Sequence, residues 1–123
     1  MNENQIEVLL AQISCFMHSE NKYQHDSGYH YTDGIKFIVE KLHCSWLLDT
    51  ILFSQEFKVL NKNKSYQDIT INVNIYYQTG CITFKDKSGD TIHTQNISMT
   101  EFPIKELTLK YNNGLLQLPS EVN

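Results

Sequence analysis

The side chains best suited to chemistry gather in one short stretch of the chain. Five histidine and tyrosine residues lie within residues 23–31 and a carboxylate follows directly: Tyr23, His25, Tyr29, His30, Tyr31 and Asp33. A histidine oriented by a carboxylate is an acid–base pair, so Asp33 with His25 or His30 would suit a small acid–base or metal-dependent hydrolase. Neither an HxH nor an HExxH spacing occurs, and we therefore predict no metal ion and no cofactor.

A binding role is the alternative for the same stretch. The aromatic and imidazole side chains are too apolar to be left in water, yet their N–H and O–H groups need partners when buried. We expect them to fold over the start of a helix at Asp33. They would form either a fixed structural plug or one shallow recognition site.

Other catalytic arrangements find less support. Three cysteines (Cys15, Cys44 and Cys81) are widely spaced and form no CxxC pair, so neither a zinc site nor a disulfide framework is predicted. Cys44 follows His43, but adjacent helical residues do not face each other. The sequence favours a non-enzymatic protein in a reducing compartment.

Charge and hydropathy exclude further classes of function. The 123 residues carry a net charge of −4, and every basic residue is a lysine. Arginine makes the bidentate contacts typical of phosphate and guanine recognition, so we expect no nucleic-acid partner. The N-terminus is polar, and the apolar run at 46–53 is too short to span a bilayer. We predict a cytoplasmic protein without a membrane partner.

Apolar residues at helical spacing indicate helices over residues 3–18 and 33–54. Thr32 or Asp33 would cap the first turn of the second segment. The apolar pattern of that segment is interrupted at residues 43–45 and then resumes. It therefore predicts one bent helix or two helices, with Ser45 as a second N-cap.

From residue 56 to 119 the period changes from 3.6 to 2, which indicates an antiparallel sheet. The first strand would begin at Phe57 and Val59. Residues 69–77 alternate most regularly, and Thr79-Gly80 reads as a tight turn that places Tyr77 opposite Ile82.

Two further hairpins follow from turn chemistry. A three-residue loop at 87–89, with Gly89 left-handed, places Phe84 opposite Ile92. Asn113-Gly114 is the preferred two-residue turn for the last hairpin. The whole chain is then one two-layer α+β domain, with N-terminal helices packed on one face of a mainly antiparallel sheet of five or six strands. The other face would be polar and either solvated or used for docking.

Short motifs in order along the chain resemble a known family. They are Tyr-Thr-Asp-Gly at 31–34, Trp-Leu-Leu-Asp at 46–49, Thr-Glu-Phe-Pro-Ile at 100–104 and Leu-Pro-Ser-Glu at 118–121. This set resembles a family of small bacterial proteins with a domain of unknown function, often found on plasmids, phages and other mobile elements. The resemblance implies one fold over nearly the whole chain and a bacterial or phage setting. In such proteins an arginine usually precedes the histidine that corresponds to His25. Here that position is Gln24, which weakens the case for an anion-binding role of the loop around His25.

We therefore expect a non-catalytic protein-binding module that is a monomer or homodimer. A concrete version is an accessory or anti-defence protein of a mobile element, acting on a protein partner. The hydrolase that uses Asp33 with His25 or His30 remains the alternative.

Overall fold

A computed structural model describes residues 1–17, 20–55, 65–98 and 100–122. Within them lie three α-helices, seven strands and a C-terminal 3₁₀ turn at Pro119–Glu121. The helices are α1 (Glu3–Ser14), α2 (Asp33–Leu42) and α3 (Ser45–Ser54). The strands are β1 (Lys22–Gln24), β2 (His30–Thr32), β3 (Tyr66–Asn74), β4 (Thr79–Asp86), β5 (Thr91–Ile97), β6 (Glu106–Asn112) and β7 (Leu115–Gln117).

The α+β class is confirmed, but the predicted sheet is wrong in its strand count. All seven strands form one mixed sheet in the order β1-β2-β7-β6-β3-β4-β5. The pair β2–β7 is parallel, and the other neighbouring pairs are antiparallel. The two additional strands come from the histidine- and tyrosine-rich stretch. Each has three residues, which is too short for alternation to reveal a strand. The predicted strand start at Phe57 and Val59 lies outside the described residues.

Residues 33–54 form two helices and not one bent helix, which confirms one of the two predicted alternatives. His43 ends α2 in a left-handed conformation (φ 51°), and the Cys44 N–H donates to the carbonyl of Val39 (3.1 Å). Cys44, not Ser45, occupies the N-cap position of α3. The first helix stops at Ser14, short of the predicted residue 18, and beyond it Phe16 packs against Phe37 (5.2 Å between ring centroids).

The start of α2 is capped from the far end of the chain. Thr32, one of the two predicted caps, occupies the N-cap position, but its side chain makes no cap bond to the helix. The carboxylate of Glu121 instead accepts from the Thr32 hydroxyl (2.7 Å) and from the backbone N–H groups of Gly34 (3.1 Å) and Leu118 (2.8 Å). Gly34 makes room for this approach, because a Cβ there would lie 2.5 Å from the Leu118 side chain. A buried carboxylate thus satisfies one of the backbone N–H groups that the first turn of α2 leaves open.

One hydrophobic core joins the helices to one face of the sheet. Buried residues alternate along β3, with Gln67, Ile69, Ile71 and Val73 inside. The apolar ones share a single cluster with buried residues of all three helices and of β4, β6 and β7. Each fully buried aliphatic side chain stabilises the fold by roughly 1.5–3 kcal/mol. The helices and the sheet are therefore stabilised by one shared cluster of buried apolar side chains.

Two of the three predicted hairpin turns are confirmed. Asn113 and Gly114 are both left-handed (φ 47° and 91°) and join β6 to β7. Gly89 (φ 89°) lies in the predicted three-residue loop, which the Asp86 N–H closes on the carbonyl of Asp90 (2.9 Å). A register shift just beyond that loop, however, sets Phe84 opposite His93 and not Ile92.

The predicted turn between β3 and β4 is wrong. Asn74 pairs with Thr79, and Ile82 lies opposite Ile71, so the turn consists of residues 75–78. The Asn74 side-chain oxygen accepts the N–H of Tyr77 (3.1 Å), and Gln78 takes the left-handed conformation (φ 56°). The sequence placed these residues in a strand, whereas the local hydrogen bond of Asn74 diverts the chain into a turn.

Candidate functional site

Three large side chains project from the turn between β3 and β4. Ile75, Tyr76 and Tyr77, here called the hydrophobic tip, are 44%, 86% and 70% exposed. The two tyrosine rings contact each other edge to face, with centroids 5.0 Å apart. Exposed apolar residues that are contiguous in this way mark interaction sites more often than scattered ones do.

A groove runs from this tip along helix α1. Its volume is about 1460 Å³, and it is bounded by the helix on one side and by the ends of β3, β4 and β6 on the other. Apolar side chains of both walls line it: Met1, Ile6, Leu10, Val73, Ile75 and Ile104. We call this the α1 groove. Leu10 is 41% exposed although its spacing predicts a core position, so α1 turns part of its apolar stripe toward the groove.

The backbone beneath the tip is firmly held. The Thr100 N–H donates to the carbonyl of Gln78 (2.8 Å), and the Val73 N–H donates to the carbonyl of Lys105 (2.8 Å). Gly80 lies inside β4, where a Cβ would approach the carbonyl oxygen of Asn72 to 3.1 Å. Close backbone packing inside β4 therefore explains Gly80, whose sequence context predicts a turn. The tip is thus displayed on a rigid base.

The open face of the sheet is less suited to docking. Its central polar groups are within reach of one another, as with the hydroxyls of Thr70 and Thr108 (3.4 Å). Lys110 forms an ion pair with Asp68. Because these groups already have partners within the sheet, a docking protein would gain little from them.

The predicted site residues do not form one cluster, and the first group of them is centred on Asp33. Tyr23 donates its hydroxyl to Asp33 (2.7 Å), and Asn21 adds a longer bond to the same carboxylate (3.5 Å). The Lys36 ammonium lies 5.2 Å from the centre of the Tyr23 ring. The hydrogen bond to Asp33 raises the pKa of the Tyr23 phenol. The predicted folding of the stretch over the start of the helix is therefore observed for Tyr23.

His25 belongs to the second cluster, away from Asp33. Its Nε2 lies 2.7 Å from Asp49, and its Nδ1 lies 2.8 Å from the Ser27 hydroxyl. The Ser27 backbone N–H also donates to Nδ1 (3.0 Å), which assigns the proton to Nε2. The ring edge contacts Phe53 (5.0 Å) and the residue is 8% exposed.

This serine–histidine–aspartate chain ties a turn to a helix. A catalytic base needs a free lone pair toward its substrate, but Nδ1 already accepts a backbone N–H within its own turn. The cluster therefore fastens the β1–β2 turn to α3. The pairing of His25 with Asp33 that the sequence suggested is wrong, because Asp49 takes that place.

The remaining predicted residues, Tyr29, His30 and Tyr31, make contacts within the fold. Tyr29 packs edge to face on Tyr111 (6.1 Å), and the Tyr31 ring lies against that of Tyr23 (5.6 Å). His30 is exposed on β2, where its backbone N–H donates to the carbonyl of Gly114 (2.8 Å). Over the described ranges, no group of three or more potential metal-ligating side chains comes together.

Two further observations bear on the class of protein. Burial raises the pKa of the Cys44 thiol to about 11, so it stays protonated and poorly nucleophilic near neutral pH. Among the described residues, no helix has the length and apolar character needed to cross a membrane.

A stability measurement tests the role of His25. His25→Ala is expected to lower the free energy of unfolding by about 1–2 kcal/mol, because the buried ring loses its bonds to Asp49 and Ser27. Asp49→Asn is the matched control. Its cost should stay below about 1 kcal/mol, since the Asp49 side chain is 56% exposed and an asparagine oxygen can still accept the Nε2–H of His25. Equal stability of His25→Ala and the unmodified chain in urea unfolding would contradict the structural role.

The tip was the feature that sequence reasoning missed. Ile75 and Tyr77 alternate with polar residues as a strand would, so their pattern predicted burial. The sequence does contain one indication of the turn. An asparagine side chain can accept a hydrogen bond from a backbone N–H a few residues later and so stabilise a turn, as Asn74 does with Tyr77.

Comparison with known proteins gives one match. A family model described as a family of unknown function, DUF6876, matches residues 7–122. No curated protein and no solved structure matches the chain.

Proposed function

The chain belongs to the DUF6876 family of unknown function, and from that premise we propose that it is a non-catalytic protein-binding module. Its partner would bind at the hydrophobic tip and in the α1 groove. The observation that carries the proposal is the exposure of Tyr76 and Tyr77 on a rigid turn beside an apolar groove.

The chemistry of the tip supports a protein partner. Tyrosine is enriched among the few residues that dominate binding energy at protein interfaces, because it buries a large ring while its hydroxyl stays hydrogen-bonded. A rigid base adds to the effect, since little conformational freedom is lost when the partner binds. The surrounding groove would exclude water from the contact.

A finer version of the proposal concerns the biological setting. The resemblance to proteins of plasmids and phages supports a role as an accessory protein of a bacterial mobile element. The partner would then be a cytoplasmic defence or regulatory protein of the host, held in an inactive state. The size of the domain and its mild negative charge suit such an inhibitor.

Capture from a lysate of the source organism tests the proposal. The purified chain on beads should retain one protein in stoichiometric amount. The double variant Tyr76→Ser/Tyr77→Ser should retain it about tenfold less or worse, because two aromatic contacts are removed. Its melting temperature should stay within about 2 °C of the unmodified chain, since neither ring is part of the core.

The matched control changes the open face of the sheet. Lys85→Glu/Thr94→Glu alters two exposed positions there and should retain the partner at the level of the unmodified chain. Equal capture by the tip variant, or loss of capture in the open-face variant alone, would refute the proposed surface.

A further inference from the structure

We infer that the α1 groove receives a cationic amphipathic helix of the partner protein. This inference rests on the proposed function and specifies its ligand. Three carboxylates line the groove, from Glu3 and Glu7 on α1 and from Glu106 at the start of β6. The opposing positive charges in its lining are the Lys105 side chain and the α-ammonium of Met1, so three carboxylates face two ammonium groups.

These carboxylates are available to a ligand as far as the described residues show. In the described part of the chain, none of Glu3, Glu7 and Glu106 takes part in an ion pair, and all three are exposed. Like charges that line one cleft with apolar walls focus their field into it. Basic side chains flanking an apolar stripe would complement this arrangement.

The size of the groove argues for a segment of secondary structure. Its volume of about 1460 Å³ exceeds the roughly 300–1,000 Å³ of typical small-molecule sites. A helix laid in a groove presents apolar side chains three and four residues apart as anchors. Such anchors would meet the apolar wall formed by Ile6, Leu10 and Val73.

The sheet topology favours a helix over an added strand. A bound strand needs a free edge for its backbone hydrogen bonds, and the edges of this sheet are β1 and β5. The strands that border the groove, β3, β4 and β6, each lie between two others. A helix satisfies its own backbone groups and needs no such edge.

A second copy of the chain is the less favourable occupant. In a two-fold symmetric contact the same patch meets itself, which would bring Glu3, Glu7 and Glu106 of both copies together. Like charges facing each other across an interface oppose association, and the net charge of −4 adds to the repulsion.

Three synthetic helical peptides test the inference. They share the same leucine stripe, and their polar positions are all lysine, all glutamine or all glutamate. We expect fluorescence anisotropy to show the lysine peptide binding about tenfold more tightly than the glutamine peptide, with the glutamate peptide weakest. The preference should shrink as salt is raised, because surface charges are screened.

Matched charge variants assign the preference to the groove. Glu3→Gln/Glu7→Gln/Glu106→Gln should remove most of the lysine preference. A control with the same change in net charge at exposed acids elsewhere should keep it: Glu20→Gln/Asp26→Asn/Asp90→Asn. Equal loss in both variants would overturn the inference, since overall charge would then explain the binding.

The outcomes separate this inference from the proposed function. If the glutamine peptide binds as tightly as the lysine peptide and Tyr76→Ser/Tyr77→Ser abolishes both, the cationic ligand is wrong and the protein-binding surface stands. If no peptide binds while the lysate protein still needs the tip, the helical ligand is wrong. Self-association in analytical ultracentrifugation that is lost in the tip variant would replace the helix with a second copy. Failure of both peptides and lysate capture overturns both proposals.

Discussion

Glu121→Ala is expected to lower the free energy of unfolding by about 3 kcal/mol. The carboxylate is buried and accepts three hydrogen bonds, from the Thr32 hydroxyl and from the N–H groups of Gly34 and Leu118. Its removal leaves those donors buried without their acceptor, and each unsatisfied group costs roughly 1–3 kcal/mol. Water entering the space left by the side chain would offset part of that cost.

Two variants make the measurement specific. Glu121→Gln keeps the shape and one acceptor oxygen, so its loss should be about half as large. Glu101→Ala removes a carboxylate that is exposed and should change stability by less than about 0.5 kcal/mol. Urea unfolding gives all three values. A loss below about 1 kcal/mol for Glu121→Ala would mean that the C-terminal turn is not needed to cap α2.

Leu47→Ala is expected to cost about 2–5 kcal/mol, whereas Leu10→Ala should cost less than about 1 kcal/mol. The sequence predicts a large loss at both positions, since both lie on apolar helical stripes. Leu47 is 3% exposed in the core, but Leu10 is 41% exposed along the α1 groove. Only the first substitution therefore creates a cavity.

A binding measurement on Leu10→Ala tests the same assignment of Leu10 to the α1 groove. Leu10→Ala should weaken capture of the partner while the chain stays folded, because Leu10 lines the proposed binding surface. Leu9→Ala, one residue away and buried, should destabilise the chain as Leu47→Ala does. A large loss of stability at Leu10 would show that α1 packs through a different face.

Turns and helix ends could be predicted from the sequence where a few neighbouring residues determine the backbone conformation. Asn113-Gly114 and Gly89 specify their turns because those backbones need left-handed conformations. The break between α2 and α3 shows in the interrupted apolar pattern around His43. In each case the deciding residues are neighbours along the chain.

Strand register could not be predicted in the same way. Ile82 faces Ile71, whereas the sequence placed it opposite Tyr77. These two registers differ by an even number of residues, so both keep the apolar residues on one face. The turn at residues 75–78 distinguishes them, where the Asn74 side chain accepts the N–H of Tyr77 and Gln78 is left-handed.

The contacts of the histidine and tyrosine stretch could not be predicted for a related reason. The histidine and tyrosine stretch was conspicuous by composition, but its partners Asp49 and Tyr111 belong to elements distant in sequence. Likewise Thr32 was expected to cap α2, because the sequence does not reveal that Glu121 reaches the same place. Contacts between remote segments depend on topology, and here that includes a parallel strand pair.

That parallel pair, β2 with β7, has a consequence for synthesis on the ribosome. The β1–β2 hairpin is made early, yet its neighbour in the sheet is β7, which follows more than 80 residues later at Leu115–Gln117. Thr32 must also wait for Glu121, 89 residues later, to cap α2. Contacts of such separation slow folding because a long loop must close first. A nascent chain without residues 115–121 therefore exposes one side of β2 and the uncapped start of α2, and this part of the sheet forms only once those residues have been made.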